Sequence, residues 1–240
     1  MRTENLKRFT GDTKLITKFN VNFLVYKGFH SHLNEAIVNY AKGRVLDIGC
    51  GNKPYEKWFN TKRSEYVGCD IIQSDLQKVD IICNANNIPL ENELFDTVIS
   101  TQTIEHVEDH QGLVNEAFRL LKKDGYFILS GPMYWHLHEQ PFDFFRFTKY
   151  GFKEILEKAG FILIDVKANG GMWAVTGQTL IHSFINSSSK NIFVRTSCFI
   201  FRKFRMCWFV NTFFDWLDNL DFNDVNTLNY VVVGKKDSSF

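Results

Sequence analysis

Val45-Leu46-Asp47-Ile48-Gly49-Cys50-Gly51-Asn52-Lys53-Pro54 is an apolar run that ends in an acid and two glycines. A short apolar run halted by glycine reads as a buried β-strand followed by a tight turn. Glycines in that turn let the backbone approach a ligand closely, at the carboxyl end of a first strand, where open α/β sheets bind cofactors. A second apolar run ends in Gly68-Cys69-Asp70-Ile71, with Asp70 lying 70 − 47 = 23 positions beyond Asp47. An acid at that strand end can accept hydrogen bonds from both hydroxyls of a ribose, each charge-assisted bond contributing about 1.5–3 kcal/mol.

The glycine count separates two classes of ligand. A dinucleotide fold requires G-x-G-x-x-G, in which the third glycine permits tight helix packing while the helix N-terminus holds a pyrophosphate. Here the third position is Pro54. A ligand without phosphate is therefore favoured, and Asp47 beside the turn suits a cationic group. An oxidoreductase using a nicotinamide cofactor is correspondingly disfavoured.

Short apolar runs recur at 44–48, 66–70, 79–83, 95–100, 126–130, 161–166 and 229–233, which predicts seven strands. Helical spacing separates several of them. Leu113, Val114, Ala117, Phe118 and Leu121 lead to Lys122-Lys123-Asp124-Gly125, and Phe152, Ile155, Leu156 and Ala159 are stopped by Gly160. Alternating strands and helices predict an α/β fold whose parallel sheet is covered on both faces. Upstream, Leu15, Ile16, Phe19 and Phe23, then Leu33, Ala36, Ile37 and Tyr40, predict two helices, with Ser31 as the N-cap between them. Downstream, Trp173, Leu180, Ile181 and Phe184, then the aromatic-rich stretch 192–217, predict a helical insertion before the last strand. The expected organisation is a single domain over 1–240: N-terminal helices at 14–42, a ligand-binding core at 43–170, the insertion at 171–226 and the last strand at 227–236.

The wider composition excludes other classes. With 240 residues, 45% of them hydrophobic, the chain can bury a full core, which rules out disorder as its main state. Lys and Arg number 28 against 27 Asp and Glu, so no global basic field exists for non-specific nucleic-acid binding, and no nucleic-acid partner is expected. The five cysteines, with no C-x-x-C pair, read as apolar fillers in a reducing compartment. No secretory leader follows the charged N-terminus, and residues 168–189, though free of charge, are too rich in Gly, Ser and Asn for a membrane span. A cytoplasmic location, peripheral to the inner membrane face if the insertion meets lipid, is expected.

Asp47-Ile48-Gly49-Cys50-Gly51-Asn52-Lys53-Pro54, with Tyr66-Val67-Gly68-Cys69-Asp70 after it, resembles the class I S-adenosylmethionine-dependent methyltransferases of the type 11-like group. Asn84-Ala85-Asn86-Asn87-Ile88-Pro89-Leu90, then Phe95-Asp96-Thr97-Val98-Ile99-Ser100 and Glu105-His106-Val107, are similar to that family's later motifs in the same order. Several motifs in order carry far more weight than one. The resemblance spans roughly residues 43–166 and the last strand. It implies a Rossmann-like seven-stranded sheet in the order 3-2-1-4-5-7-6 with strand seven antiparallel, and S-adenosyl-L-methionine as cofactor. It also implies Asp47, Gly49, Cys50 and Gly51 around the methionine moiety and Asp70 on the ribose. Ile71 would pack on the adenine, Asn84 and Ala85 would meet its edge, and Gln102 would line the methionine end. Asn84 stands where many members carry Asp, so it accepts without charge assistance.

After the fifth strand comes Tyr134-Trp135-His136-Leu137-His138-Glu139-Gln140-Pro141-Phe142-Asp143-Phe144-Phe145-Arg146-Phe147-Thr148. It resembles the H-x-x-P-x-D-x-x-R-x-T stretch of a bacterial subset of the family associated with surface-glycan biosynthesis. Two readings stay open here. His136, His138, Glu139 and Asp143 are candidate catalytic groups for deprotonating an acceptor hydroxyl. Alternatively, the phenylalanines build a hydrophobic lid in which Asp143 pairs with Arg146. His136, His138 and Glu139 as metal ligands form a weak signal, because adjacent donors lack a distant partner, and no metal is expected. Glu105 and His106 read as a brace for the turn after strand four.

In the insertion, Lys190, Arg195, Arg202, Lys203 and Arg205 alternate with Phe193, Phe199, Phe201, Phe204, Trp208 and Phe209 before Asp215, Asp218, Asp221 and Asp224 reverse the charge. A basic aromatic helix of this kind suits a membrane interface, while the plainer reading is a core of its own or a homodimer contact. The expected activity is methyl transfer to a hydroxyl of a small-molecule or glycan acceptor. The alternatives are a membrane-soluble quinone or lipid acceptor and a non-catalytic, cofactor-binding scaffold.

Overall fold

The computed structural model describes residues 17–61 and 63–237. The first element is a single helix, α1 (Phe23–Tyr40), rather than two helices meeting at Ser31. Ser31 lies mid-helix because the buried stripe of Phe29, Leu33, Ala36 and Ile37 runs through it, and continuous burial outweighs one local capping preference. Leu15 and Ile16 lie outside the described residues.

The centre of the sheet is β1 (Gly43–Ile48), which pairs in parallel with β2 (Arg63–Asp70) and with β4 (Phe95–Thr101). Beyond β2 lies β3 (Ile81–Ile82), reduced to two residues where five were expected. Beyond β4 lie β5 (Leu121–Pro132), β7 (Asn229–Lys236) and β6 (Phe161–Asn169). The order β3-β2-β1-β4-β5-β7-β6, with β7 antiparallel, is the one the sequence predicts. Consecutive residues Val45-Leu46, Val98-Ile99 and Phe127-Ile128-Leu129 are all fully buried. Neighbours on a strand point to opposite faces, so both faces are covered, and each such side chain contributes about 1.5–3 kcal/mol by burial.

Helix α2 (His110–Leu120) buries Leu113, Val114, Ala117 and Leu120, and the Asp109 carboxylate caps it by accepting from Gly112 N at 2.9 Å. The expected helical end at 122–125 belongs instead to β5. Phe95 pairs with Leu121 but Thr97 pairs with Tyr126, so the Lys122-Lys123-Asp124-Gly125 turn bulges out of the ladder, with Asp124 at φ +60. Helix α3 (Lys149–Lys158) starts at Thr148, whose hydroxyl accepts from Gly151 N at 3.0 Å, and stops before Gly160 at φ +101.

The described residues cluster into two compact units. The first contains His32–Lys167 and 230–237, and the second 17–31 and Ala168–Asn229. Within the second, the expected insertion forms α4 (Met172–Ile185), α5 (Ile192–Lys203) and α6 (Cys207–Leu220), with Arg205 at φ +50 breaking the last two apart. Ile181, Phe201 and Cys207 form a core there, where the Phe184 and Phe201 rings stack at 4.6 Å. The acids of α6 and of its C-cap bond within the unit. Asp218 accepts from Gly171 N at 2.9 Å and Ala174 N at 3.1 Å at the start of α4, Asp221 accepts from the Trp173 indole, and Asp215 pairs with Lys18 and Lys27. Among the described residues no helix is long and apolar enough to cross a membrane. All five cysteines carry free thiols, and Cys50, Cys69, Cys198 and Cys207 are buried.

Candidate functional site

At the end of β1 the chain turns through Gly49 (φ +76) and Gly51 (φ +48). The N–H groups of Gly49 and Cys50 both donate to the Cys69 carbonyl, at 2.8 and 3.0 Å, which folds the turn against the end of β2. Glycine at 49 is required twice. A side chain disfavours its φ, and a Cβ there would stand 2.3 Å from the Thr103 hydroxyl and methyl. Asp70, nearly buried at the tip of β2, joins the two strand ends. Its carboxylate accepts from Gly51 N at 3.1 Å and from Ile71 N at 2.7 Å.

Above this junction opens a cavity of about 500 Å³ within the first unit. That volume suits a small ligand or cofactor. Gly49, Asp70, Ile71, Asn84 and Ala85, which the family resemblance sets around the cofactor, line it. Ile71 is about half exposed, an apolar side chain left open to a flat ring. The other predicted residues lie around the cavity without forming its wall. The Asp47 carboxylate sits beneath the turn, where the Tyr66 hydroxyl donates to it at 2.7 Å. Burial pushes its pKa up to about 7, the Tyr66 bond pulls it down and the Asp70 charge raises it further. Cys50 is buried with its thiol pKa pushed up by desolvation, and Gly51 serves through its N–H. Gln102, at φ +49, is turned to Ser130, whose hydroxyl accepts from its side chain at 3.2 Å.

The lining also includes Thr103, His106 and Asp109, which the sequence reading did not assign to the site, and Phe142 and Phe144 from the segment it read as a hydrophobic lid. They reach the cavity because the segment after β5 is tied to the 3₁₀ turn Ile104–His106. Phe144 N and Phe145 N donate to the Glu105 carbonyl, at 2.9 and 3.3 Å, and His106 Nδ1 meets the Phe142 carbonyl at 2.8 Å. The only sequence signal for this was the density of phenylalanines between 142 and 147.

Asp143 and Arg146 are paired, as the lid reading expects. The guanidinium donates to both carboxylate oxygens at 2.7 and 2.8 Å, and the Asp143 side chain is almost fully buried. Burial alone would raise its pKa, but Arg146, the His138 N–H and the His138 charge outweigh it and hold the carboxyl well below the usual range. His138 leans on the same carboxylate, with Nδ1 3.2 Å from Asp143 Oδ2. His136 and Glu139 are exposed, and burial with the neighbouring His138 and Arg146 lowers the His136 pKa. None of His136, His138, Glu139 and Asp143 lines the cavity, although His138 packs edge-on against His106 with ring centroids 4.6 Å apart.

Residues 46–129 match the family model described as a methyltransferase domain. The chain is 29% identical over 112 residues to a probable S-adenosylmethionine-dependent methyltransferase of Mycolicibacterium smegmatis, covering 43% of this chain and 44% of that protein. It is 24% identical over 126 residues to a ubiquinone biosynthesis O-methyltransferase of Rickettsia canadensis, covering 48% and 51%. It thus spans about half the length of the curated relatives it matches. Among solved structures, a SAM-dependent methyltransferase from Archaeoglobus fulgidus shares the fold, with a TM-score of 0.54, 18% identity, and coverage of 87% of this chain and 93% of that one.

Proposed function

From the class I S-adenosylmethionine-dependent methyltransferase domain that residues 46–129 carry, we propose that the chain transfers a methyl group to a hydroxyl of a small-molecule or glycan acceptor. The observation that carries this reading is Asp70, held by two backbone N–H groups in the lining of a cavity that Gly49 also lines. Asp70 would hold the ribose hydroxyls, Ile71 would cover one adenine face, and Asn84 with the Ala85 N–H would meet its edge. Gly49 gives the methionine chain room to pass close to the backbone. S-adenosylmethionine supplies an electrophilic methyl: its carbon–sulfur bond breaks as the carbon–oxygen bond forms, sulfur keeps the electron pair and the acceptor's proton leaves. The residues around the cavity act mainly by contact and orientation, a contribution of about 7–11 kcal/mol when two reactants are held in line. Phe142 and Phe144 exclude water from that meeting point.

Two measurements test the reading. Calorimetric titration with S-adenosylmethionine is expected to give one site per chain. Labelled methyl transfer into fractionated cell extract is expected to mark an acceptor, and cofactor binding without any transfer would favour the scaffold reading.

A lipid-linked acceptor is a second reading, favoured by helices α5 and α6. Phe193, Phe199, Phe204 and Phe209 are exposed beside exposed Lys190, Arg195, Lys203 and Arg205. Asp215, the acid of α6 with ion-pair partners, is paired with Lys18 and Lys27 and not with these cations. Rings toward acyl chains and cations toward anionic head groups describe peripheral binding at the inner membrane face. Flotation with vesicles containing phosphatidylglycerol tests it, and a chain that stays at the bottom of the gradient removes the motive for a lipid acceptor.

A further inference from the structure

We propose that Glu105, His106 and His138 form a binding site for a first-row divalent transition metal, Zn²⁺ by preference, at the wall of the cofactor cavity. One donor atom of each residue lies within 4.8 Å of the donors of the other two. Glu105 and His106 come from the turn after β4 and His138 from the loop after β5, so the cluster joins parts of the chain more than thirty positions apart (138 − 106 = 32).

Three features prepare these groups for an ion. The Glu105 side chain is about 1% exposed, and its Oε2 has no hydrogen-bond partner. A buried carboxylate oxygen left without a partner is costly, and a cation offsets that cost directly. Both imidazoles are oriented from behind. His106 Nδ1 meets the Phe142 carbonyl at 2.8 Å, which turns Nε2 toward Glu105, 3.9 Å from its Oε1. His138 Nδ1 lies 3.2 Å from both Asp143 Oδ2 and the His136 carbonyl, which leaves Nε2 as its ligand nitrogen. A metal-binding histidine held through its other nitrogen by a carbonyl or carboxylate is the usual supporting arrangement. Arg146 in turn fixes Asp143 from the far side.

The donor set selects the ion. Two imidazoles and one carboxylate suit Zn²⁺ and its neighbours rather than Mg²⁺ or Ca²⁺, and three protein ligands leave a position for an exogenous oxygen. Tetrahedral donors with bonds of about 2.0–2.1 Å stand roughly 3.4 Å apart, so the side chains close by about an ångström on binding. His106 also lines the cavity, which puts the open position on the cofactor side. There the ion would hold an acceptor hydroxyl and lower its pKa. That role rests on the methyl-transfer reading, whereas metal binding does not.

The test uses the full chain, stripped with chelator and titrated with ZnCl₂ by calorimetry and with CoCl₂ by visible absorption. One equivalent of Zn²⁺ and a Co²⁺ ligand-field band displaced by Zn²⁺ are expected. Glu105→Gln and His138→Gln should each weaken Zn²⁺ binding at least about 100-fold, and Asp143→Asn about 10–100-fold through the orientation of His138. His136→Ala, which keeps the carbonyl but lacks that imidazole, should bind as wild type does. S-adenosylmethionine titration of each variant reports folding of the cavity, and His138→Gln, at the more exposed position, stands in if Glu105→Gln fails to fold. Absence of stoichiometric Zn²⁺ and Co²⁺ binding, or binding undiminished by both ligand substitutions, overturns the proposal. Failure of the wild type to bind S-adenosylmethionine would instead overturn the methyl-transfer reading and leave the metal titration to stand alone.

Discussion

Removing the Asp70 carboxylate tests the site at its narrowest point. Asp70 is about 7% exposed and accepts one backbone N–H on each oxygen, from Gly51 and from Ile71. A carboxylate oxygen has two lone pairs, so accepting a backbone N–H does not preclude a ribose hydroxyl. Two charge-assisted bonds of about 1.5–3 kcal/mol each make a combined contribution of about 3–6 kcal/mol. At about 1.4 kcal/mol per factor of ten, Asp70→Ala should weaken S-adenosylmethionine binding by roughly 10²–10⁴-fold. The substitution also releases the Gly51 and Ile71 N–H groups, and water entering from the open cavity can satisfy them, so the fold should survive. The assay is calorimetric titration, with circular dichroism and the thermal midpoint as controls for folding. A folded Asp70→Ala protein whose dissociation constant stays within about threefold of wild type would refute the reasoning.

Three further outcomes are expected. Gly49→Ala combines a left-handed backbone with a Cβ 2.3 Å from Thr103, and should lose about 2–5 kcal/mol, seen as a thermal midpoint lower by at least about 5 °C; an unchanged midpoint would show that the turn is not built as described. Burial raises the Asp47 carboxyl to about 7, so the folded chain keeps a proton between about pH 4 and pH 7 that the unfolded chain releases, and stability from this group falls as pH rises through that window. Asp47→Asn should therefore gain on wild type by up to about 3 kcal/mol between pH 4.5 and pH 8 in urea unfolding, and a difference constant with pH would refute it. Arg146→Met leaves the Asp143 carboxylate buried without its two-bond partner and should cost about 3–5 kcal/mol, with Asp143→Asn in the same chain recovering part; a loss under about 1 kcal/mol would show that the pair does not hold the loop.

The legible part of the fold is the part governed by local pattern. Apolar runs of strand length, glycine at the β1 turn and the acid at the tip of β2 are read one residue at a time, and the sheet order followed from the family that those motifs resemble. Errors came where burial over a longer range overrode a local signal. Ser31 looked like a cap, yet the apolar stripe of α1 carries the helix through it. Lys122-Lys123-Asp124-Gly125 looked like a helix end, yet pairing with β4 draws it into β5 as a bulge. Asp47 is a separate case: the resemblance sets it at the methionine moiety, and in the folded chain its carboxyl is buried and accepts from the Tyr66 hydroxyl at 2.7 Å.

By itself the sequence established the α/β class and the glycine turn, while the family its motifs resemble pointed to Asp70, Ile71, Asn84 and Ala85, which share one crevice because neighbouring strand ends project their next residues into it. The rest of that cavity's lining, and the meeting of Glu105, His106 and His138, depended on the folded chain. Those residues are adjacent because Phe144 N and Phe145 N bond to the Glu105 carbonyl and fold one loop across another. Hydrogen bonds between loops leave no period or spacing in the sequence, so proximity of this kind exists only in three dimensions.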